Sequence, residues 1–138
     1  MSYRIKRTVL MKIQKGVETK LSKNFVSTQF DCQCKRPSCD FTLVEIKLLE
    51  NLDLLVDEMP SFVITSAFRC WLHNKETGGL PNSYHLKGLA VDIRCKSLSP
   101  QDVKVAAERV AGFRGGGIGL YSTFTHLDVR GYMARWGR

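Results

Sequence analysis

Between residues 42 and 59 the apolar positions recur at helical spacing: Val44, Leu48, Leu52, Leu55 and Met59 define one face, and Pro60 closes the segment. That pattern predicts an amphipathic helix. Phe62, Val63 and Ile64 follow as a short buried strand. Over residues 89–94 the period drops to two, so that Leu89, Val91 and Ile93 point to one side while Ala90, Asp92 and Arg94 point to the other. A second helix is signalled next. Ser99 is placed to cap it, Pro100 suits its first turn, Asp102 complements its positive end, and Gly112 follows its last turn. Gly115, Gly116 and Gly117 then separate it from a strand over residues 118–121. Residues 124–129 alternate again, with Thr125, Leu127 and Val129 on one face and Phe124, His126 and Asp128 on the other. Residues 1–20 have no clear period and read as a basic leader, for which an added strand and a mobile arm are both open. The expected architecture is α+β: a small central antiparallel sheet with helices packed on one face and a cleft on the other.

Length and composition narrow the setting. The 138 residues suit one domain, here expected over residues 21–138, and 43% apolar with 25% charged residues is ordinary for a soluble globular protein. No apolar run approaches the roughly 20 residues that span a bilayer. Val9, Leu10 and Met11 are interrupted at once by Lys12, so a secretory signal is not expected and the product is placed in the cytoplasm of the producing cell. A net charge of +8 would draw the protein to any polyanion. Because no Arg/Lys run is interleaved with aromatics, nucleic acid is not the favoured partner.

The polar residues on the two alternating segments change the picture most. If both strands lie in one sheet with their apolar sides against helices, Asp92, His126 and Asp128 face a common cleft, and His85 reaches it from the loop before the first strand. Gly88 would let that loop turn without a Cβ in the way. A lone histidine beside a strand is usually a satisfied polar side chain. Two histidines and a carboxylate on short apolar strands are harder to explain as packing, since unpaired burial is costly. Three nitrogen and oxygen ligands leave tetrahedral zinc one position short, as in catalytic sites.

The segment S-x-H-x-x-G-x-A-x-D-I, preceded by Ser66-Ala67-Phe68-Arg69, His73-Asn74 and Gly78-Gly79 and followed by Gly-Ile-Gly-Leu-Tyr and F-x-H-x-D, resembles the zinc D-Ala-D-Ala carboxypeptidase family. That family is grouped with lysostaphin-type peptidases and hedgehog amino-terminal domains. The resemblance covers residues 21–136 and is nearest to small phage endolysins and bacterial cell-wall peptidases. It implies a monomeric zinc peptidase that cuts peptidoglycan stem peptides or their cross-links through a zinc-activated water, reaching the wall after release from the producing cell. Position by position, it implies His85, Asp92 and His126 as zinc ligands, Arg69 as the residue that polarises the scissile carbonyl or holds a substrate carboxylate, and Ser83 and Gly88 as members of the motif loop, Ser83 also as a substrate contact.

One departure bears on mechanism. Many relatives carry Glu or Asp three residues before the last histidine ligand, where this chain has Thr123. The proton-transfer role then falls to Asp128, about 7 Å along the strand from His126, which could act as the base or instead orient His126 as a hydrogen-bond acceptor. His73 is the further candidate for a proton relay. Without a working base the chain would be a non-catalytic, zinc-stabilised module that binds cell wall or another polyanion. Five cysteines complete the set of candidates. Cys32, Cys34 and Cys39 form a C-x-C-x4-C cluster to which Cys70 would add a fourth ligand for a second, structural zinc. Reduced, partly buried thiols are the plainer alternative.

Overall fold

The computed structural model describes residues 9–137, so residues 1–8 of the expected leader lie outside the described residues. A short strand, β1 (Leu10–Gln14), pairs antiparallel with β2 (Phe41–Glu45). The described end of the leader is therefore an added strand. Helix α1 (Ile46–Val56) follows β2 directly, and β3 (Phe62–Ser66) leads into α2 (Trp71–Glu76). Then come β4 (Ala90–Cys95), α3 (Pro100–Ala107), the single turn α4 (Ala111–Arg114), β5 (Gly117–Leu120), β6 (Thr125–Asp128) and β7 (Ala134–Gly137). The larger sheet has the order β3-β4-β6-β5-β7.

Two expectations about the helices are corrected. The helix expected from Thr42 begins at Ile46, because residues 41–45 are held as a strand by β1. Val44 lies four residues before Leu48, so its burial fits a helical period as well as a strand. Glu45 makes the switch. Its carboxylate accepts from the Lys47 N–H at 2.6 Å, capping the first turn, while the Ile46 N–H donates to the Val9 carbonyl. The helix expected to run from Ser99 to Gly112 is broken instead into α3 and α4, with Val110 extended between them. Val110 and Phe113 are both buried, and the break lets both side chains reach the core. Gly112 lies inside α4, its N–H donating to Asn51 Oδ1. The start of α3 is as expected, with Ser99 Oγ accepting from the Asp102 N–H and Pro100 in the first turn.

The larger sheet is antiparallel except at one edge, where β7 runs parallel to β5. The register explains it. Strand β6 ends with Asp128 beside Gly117, the start of β5, and after a short turn β7 also starts there, with Ala134 opposite Gly117. One face of the sheet, carrying Val91, Ile93, Ile118 and Leu127, packs against Leu48, Leu52 and Leu55 of α1 and Val103, Ala106 and Ala107 of α3. Each fully buried leucine there contributes about 1.5–3 kcal/mol relative to exposure. The opposite face carries the polar side chains of β4 and β6. The period of two thus assigns core and cleft to opposite sides of the same strands.

Candidate active site

Asp92 and His126 sit directly opposite each other across the β4–β6 ladder, so their side chains emerge on the same face. His85 approaches from a 3₁₀ turn, residues Tyr84–Lys87, that precedes β4. Ser83 caps this turn by accepting the His85 N–H, and Gly88 ends it at φ 73°. A Cβ at Gly88 would meet the Leu43 carbonyl oxygen at 2.6 Å, so only glycine fits that corner.

Hydrogen bonds orient both imidazoles. His85 Nδ1 lies 2.7 Å from the Ala67 carbonyl oxygen, which can only accept, so the proton is on Nδ1 and Nε2 presents its lone pair. His126 faces a carboxylate at each ring nitrogen, Asp128 Oδ2 at 2.7 Å from Nε2 and Asp92 Oδ1 at 3.2 Å from Nδ1; the shorter contact holds Nε2–H on Asp128 and turns Nδ1 toward the cluster. His85 Nε2 and His126 Nδ1 converge on Asp92 Oδ1, at 3.3 Å and 3.2 Å. The three atoms, which could together hold a metal ion, lie within 4.8 Å of one another, and all three residues are buried. Burial pushes the Asp92 carboxyl up, but bonds from His126 and His85 outweigh it and hold Asp92 well below the usual carboxylate range. For His126, burial pulls down, while Asp128 and Asp92 raise its pKa above the ordinary value.

Arg69 stands at the edge of the cluster, with Nη2 3.2 Å from Asp92 Oδ2, Nε donating to Ser66 Oγ at 3.1 Å and Nη1 to Asn74 Oδ1 at 3.4 Å. Its guanidinium is braced on two sides and lines the cleft. That cleft has a volume of about 410 Å³, within the range of small-ligand sites. Ser83 lines it too, although its hydroxyl already accepts the His85 N–H.

Asp128 lies behind His126 rather than in the cleft. It is fully buried and accepts from His126 Nε2, the Gly117 N–H, the Arg130 N–H, and Arg130 Nε and Nη2. Burial pushes its carboxyl up, but His126 and Arg130 hold it well below the usual range. This arrangement suits an acceptor that orients His126. His73 is likewise absent from the cleft lining. Burial, Arg69, Arg36 and Lys15 all lower its pKa, which places it among cations beside the cysteine loop. Thr123 is exposed and outside the cleft.

Residues that the sequence motifs did not single out complete the wall. The Arg130 guanidinium stacks 4.4 Å from the Tyr84 ring, 5.1 Å from Trp136 and 5.5 Å from Tyr132, and the Trp136 ring lies 5.0 Å from that of His126. Arg130 follows Asp128 by two residues, the strand spacing that put His126 and Asp128 together, and that spacing was its one sequence signal. Trp136 comes from β7, whose pairing no local pattern announced.

Residues 23–128 match the peptidase M15 family model, which spans well over half of the chain. The chain belongs to the peptidase M15 family. All three converging side chains and Arg69 fall inside the matched region. A stretch of 74 residues is 38% identical to the probable peptidoglycan L,D-endopeptidase MepK of Haemophilus influenzae, covering 52% of this chain and 36% of that protein. The match thus spans about a third of the relative's length. No solved structure matches the chain.

Proposed function

We propose that this M15 family member is a zinc-dependent peptidase that hydrolyses peptide bonds of bacterial peptidoglycan. The observation that carries the reading is the convergence of His85 Nε2, Asp92 Oδ1 and His126 Nδ1 at the floor of an open cleft. Two imidazole nitrogens and one carboxylate are a donor set that zinc accepts once the imidazoles are neutral, with a position left for substrate or water. Zinc held there would supply a Lewis acid that polarises a carbonyl and lowers the pKa of water.

The chain's own residues do the rest. Arg69, braced by Ser66 and Asn74, presents a fixed cation to a scissile carbonyl or a substrate carboxylate. Asp128 keeps the His126 proton on Nε2, so that Nδ1 stays a ligand. Tyr84, Tyr132 and Trp136, gathered around Arg130, line the cleft across which a peptide backbone would lie. The substrate class is supported by the similarity to the Haemophilus probable peptidoglycan L,D-endopeptidase, and the net positive charge suits an anionic wall. An endolysin-like setting, with the enzyme reaching the wall after release from the cell that makes it, belongs to the same proposal.

One observation favours a second reading, a zinc-stabilised module without catalysis. Among the described residues, Asp92 is the sole carboxylate that lines the cleft. The deciding experiment is mass spectrometry of purified peptidoglycan fragments incubated with the wild-type protein, with the chelator-treated protein, and with the variants His85→Ala and His126→Ala. Cleavage by the wild type alone, with one zinc lost in each variant, supports the peptidase. Intact fragments in every sample, with zinc bound to the wild type, would transfer the proposal to the binding module.

A further inference from the structure

We propose that Cys32, Cys34, Cys39 and Cys70 form a second metal site, a structural tetrathiolate for zinc that clamps the cysteine loop onto the segment carrying Arg69. The four thiols come from separate places. Cys32 and Cys34 follow the 3₁₀ turn Ser27–Phe30, Cys39 precedes β2, and Cys70 caps the start of α2. Nevertheless, their four sulfurs all lie within 4.8 Å of one another, and those of Cys34 and Cys70 are 3.7 Å apart. A tetrahedral zinc with Zn–S bonds of about 2.3 Å needs sulfurs separated by about 3.8 Å. The cluster is thus near the size that one ion would draw together, and all four cysteines are free.

The surroundings match a thiolate cluster. Backbone N–H groups face the sulfurs: that of Cys70 donates to Cys32 Sγ at 3.4 Å and that of His73 to Cys70 Sγ at 3.4 Å. Lys15 Nζ lies 3.5 Å from Cys39 Sγ and 3.7 Å from Cys34 Sγ, anchored by the Cys34 carbonyl at 2.8 Å. Four thiolates around a divalent cation leave net negative charge, which a lysine held over two sulfurs offsets. Phe41, Leu43 and Phe68 pack against the cluster and exclude water from that side. The fifth cysteine serves as an internal control, since Cys95 contacts Ser61 and Ser97 instead.

Position gives the site a purpose. Arg69 immediately precedes Cys70, and its N–H donates to the His85 carbonyl, so a clamp at Cys70 restrains both the arginine and the histidine turn. The clamp itself is independent of the peptidase reading; only its effect on turnover rests on that reading.

The test uses the full chain purified under reducing conditions with zinc. Metal analysis should return two zinc ions per wild-type chain and one in the double variant His85→Ala/His126→Ala. Replacing that remaining ion with cobalt(II) should give a sulfur-to-cobalt charge-transfer band. Cys39→Ser in the same background should weaken and shift it, as expected when one of four thiolates is lost. With metal held, a thiol reagent should find Cys95 alone reactive, and all five cysteines after chelation in denaturant. A double-histidine variant devoid of metal, or cobalt bound without the sulfur band, overturns the proposal. If the serine variant fails to fold, the cobalt spectrum of the double-histidine variant still decides. Iron at the same stoichiometry would overturn the choice of zinc.

Discussion

Asp128→Asn tests how the proposed histidine site would hold zinc. The wild-type carboxylate is fully buried and accepts from five donors on His126, Gly117 and Arg130. Asparagine keeps the shape but replaces one acceptor oxygen with a donor. At the Oδ1 position that donor meets the Gly117 and Arg130 N–H groups and Arg130 Nε; at the Oδ2 position it meets His126 Nε2 and Arg130 Nη2. Either choice removes the charged partner of Arg130; the first also sets donor against donor at the Gly117 and Arg130 backbone, and the second drives the His126 proton to Nδ1, where it would block a ligand lone pair. Loss of an orienting acceptor costs about 10–100-fold in metal affinity, or about 1.4–2.7 kcal/mol. The assay is competition against a chromophoric chelator, read on the weaker zinc equivalent when the thiol cluster is loaded. Activity should return when zinc is added in excess. The variant should also lose stability in a pH-dependent way. Asp128 has its pKa depressed in the fold and an ordinary value of about 3.9 when unfolded, so its contribution is full above about pH 4 and is lost as pH falls through the folded value. Urea melts of the metal-free proteins should therefore show the gap between wild type and variant shrinking in acid. Unchanged zinc affinity together with a 10²–10⁴-fold fall in rate would refute the positioning role and make Asp128 the general base. Unchanged affinity and rate would remove Asp128 from both roles.

Two further outcomes are expected. Arg69→Ala should keep zinc at the histidine site and melt cooperatively yet lose most turnover, measured by metal content, calorimetry and fragment cleavage; near-normal turnover would take Arg69 out of the mechanism. Leu52→Ala, which empties a fully buried position between α1 and the sheet, should cost about 2–5 kcal/mol in urea unfolding, and a loss below about 1 kcal/mol would contradict the core described above.

Local pattern was enough to separate the core face of each strand from its polar face. The period of two over β4 and β6 needs no tertiary information to separate Val91, Ile93 and Leu127 from Asp92 and His126, because alternation is a property of the extended backbone. The Ser99 cap and the glycine corner at Gly88 were legible for the same reason: each is a local hydrogen bond or a local φ requirement. What local pattern could not carry was competition between elements. Residues 41–45 became strand because β1 arrives from 31 residues upstream to pair with them, and a helical period cannot register that partner. The division of Asp128 from the cleft was likewise a tertiary decision. Strand geometry put it on the same face as His126, but Arg130 and the Gly117 N–H draw it behind the imidazole. Trp136 reaches His126 only because β7 returns parallel to β5 at the edge of the sheet. The four thiols show both levels together. Their spacing suggested a cluster, but only the fold could bring Cys70, distant in sequence, within reach of the other three.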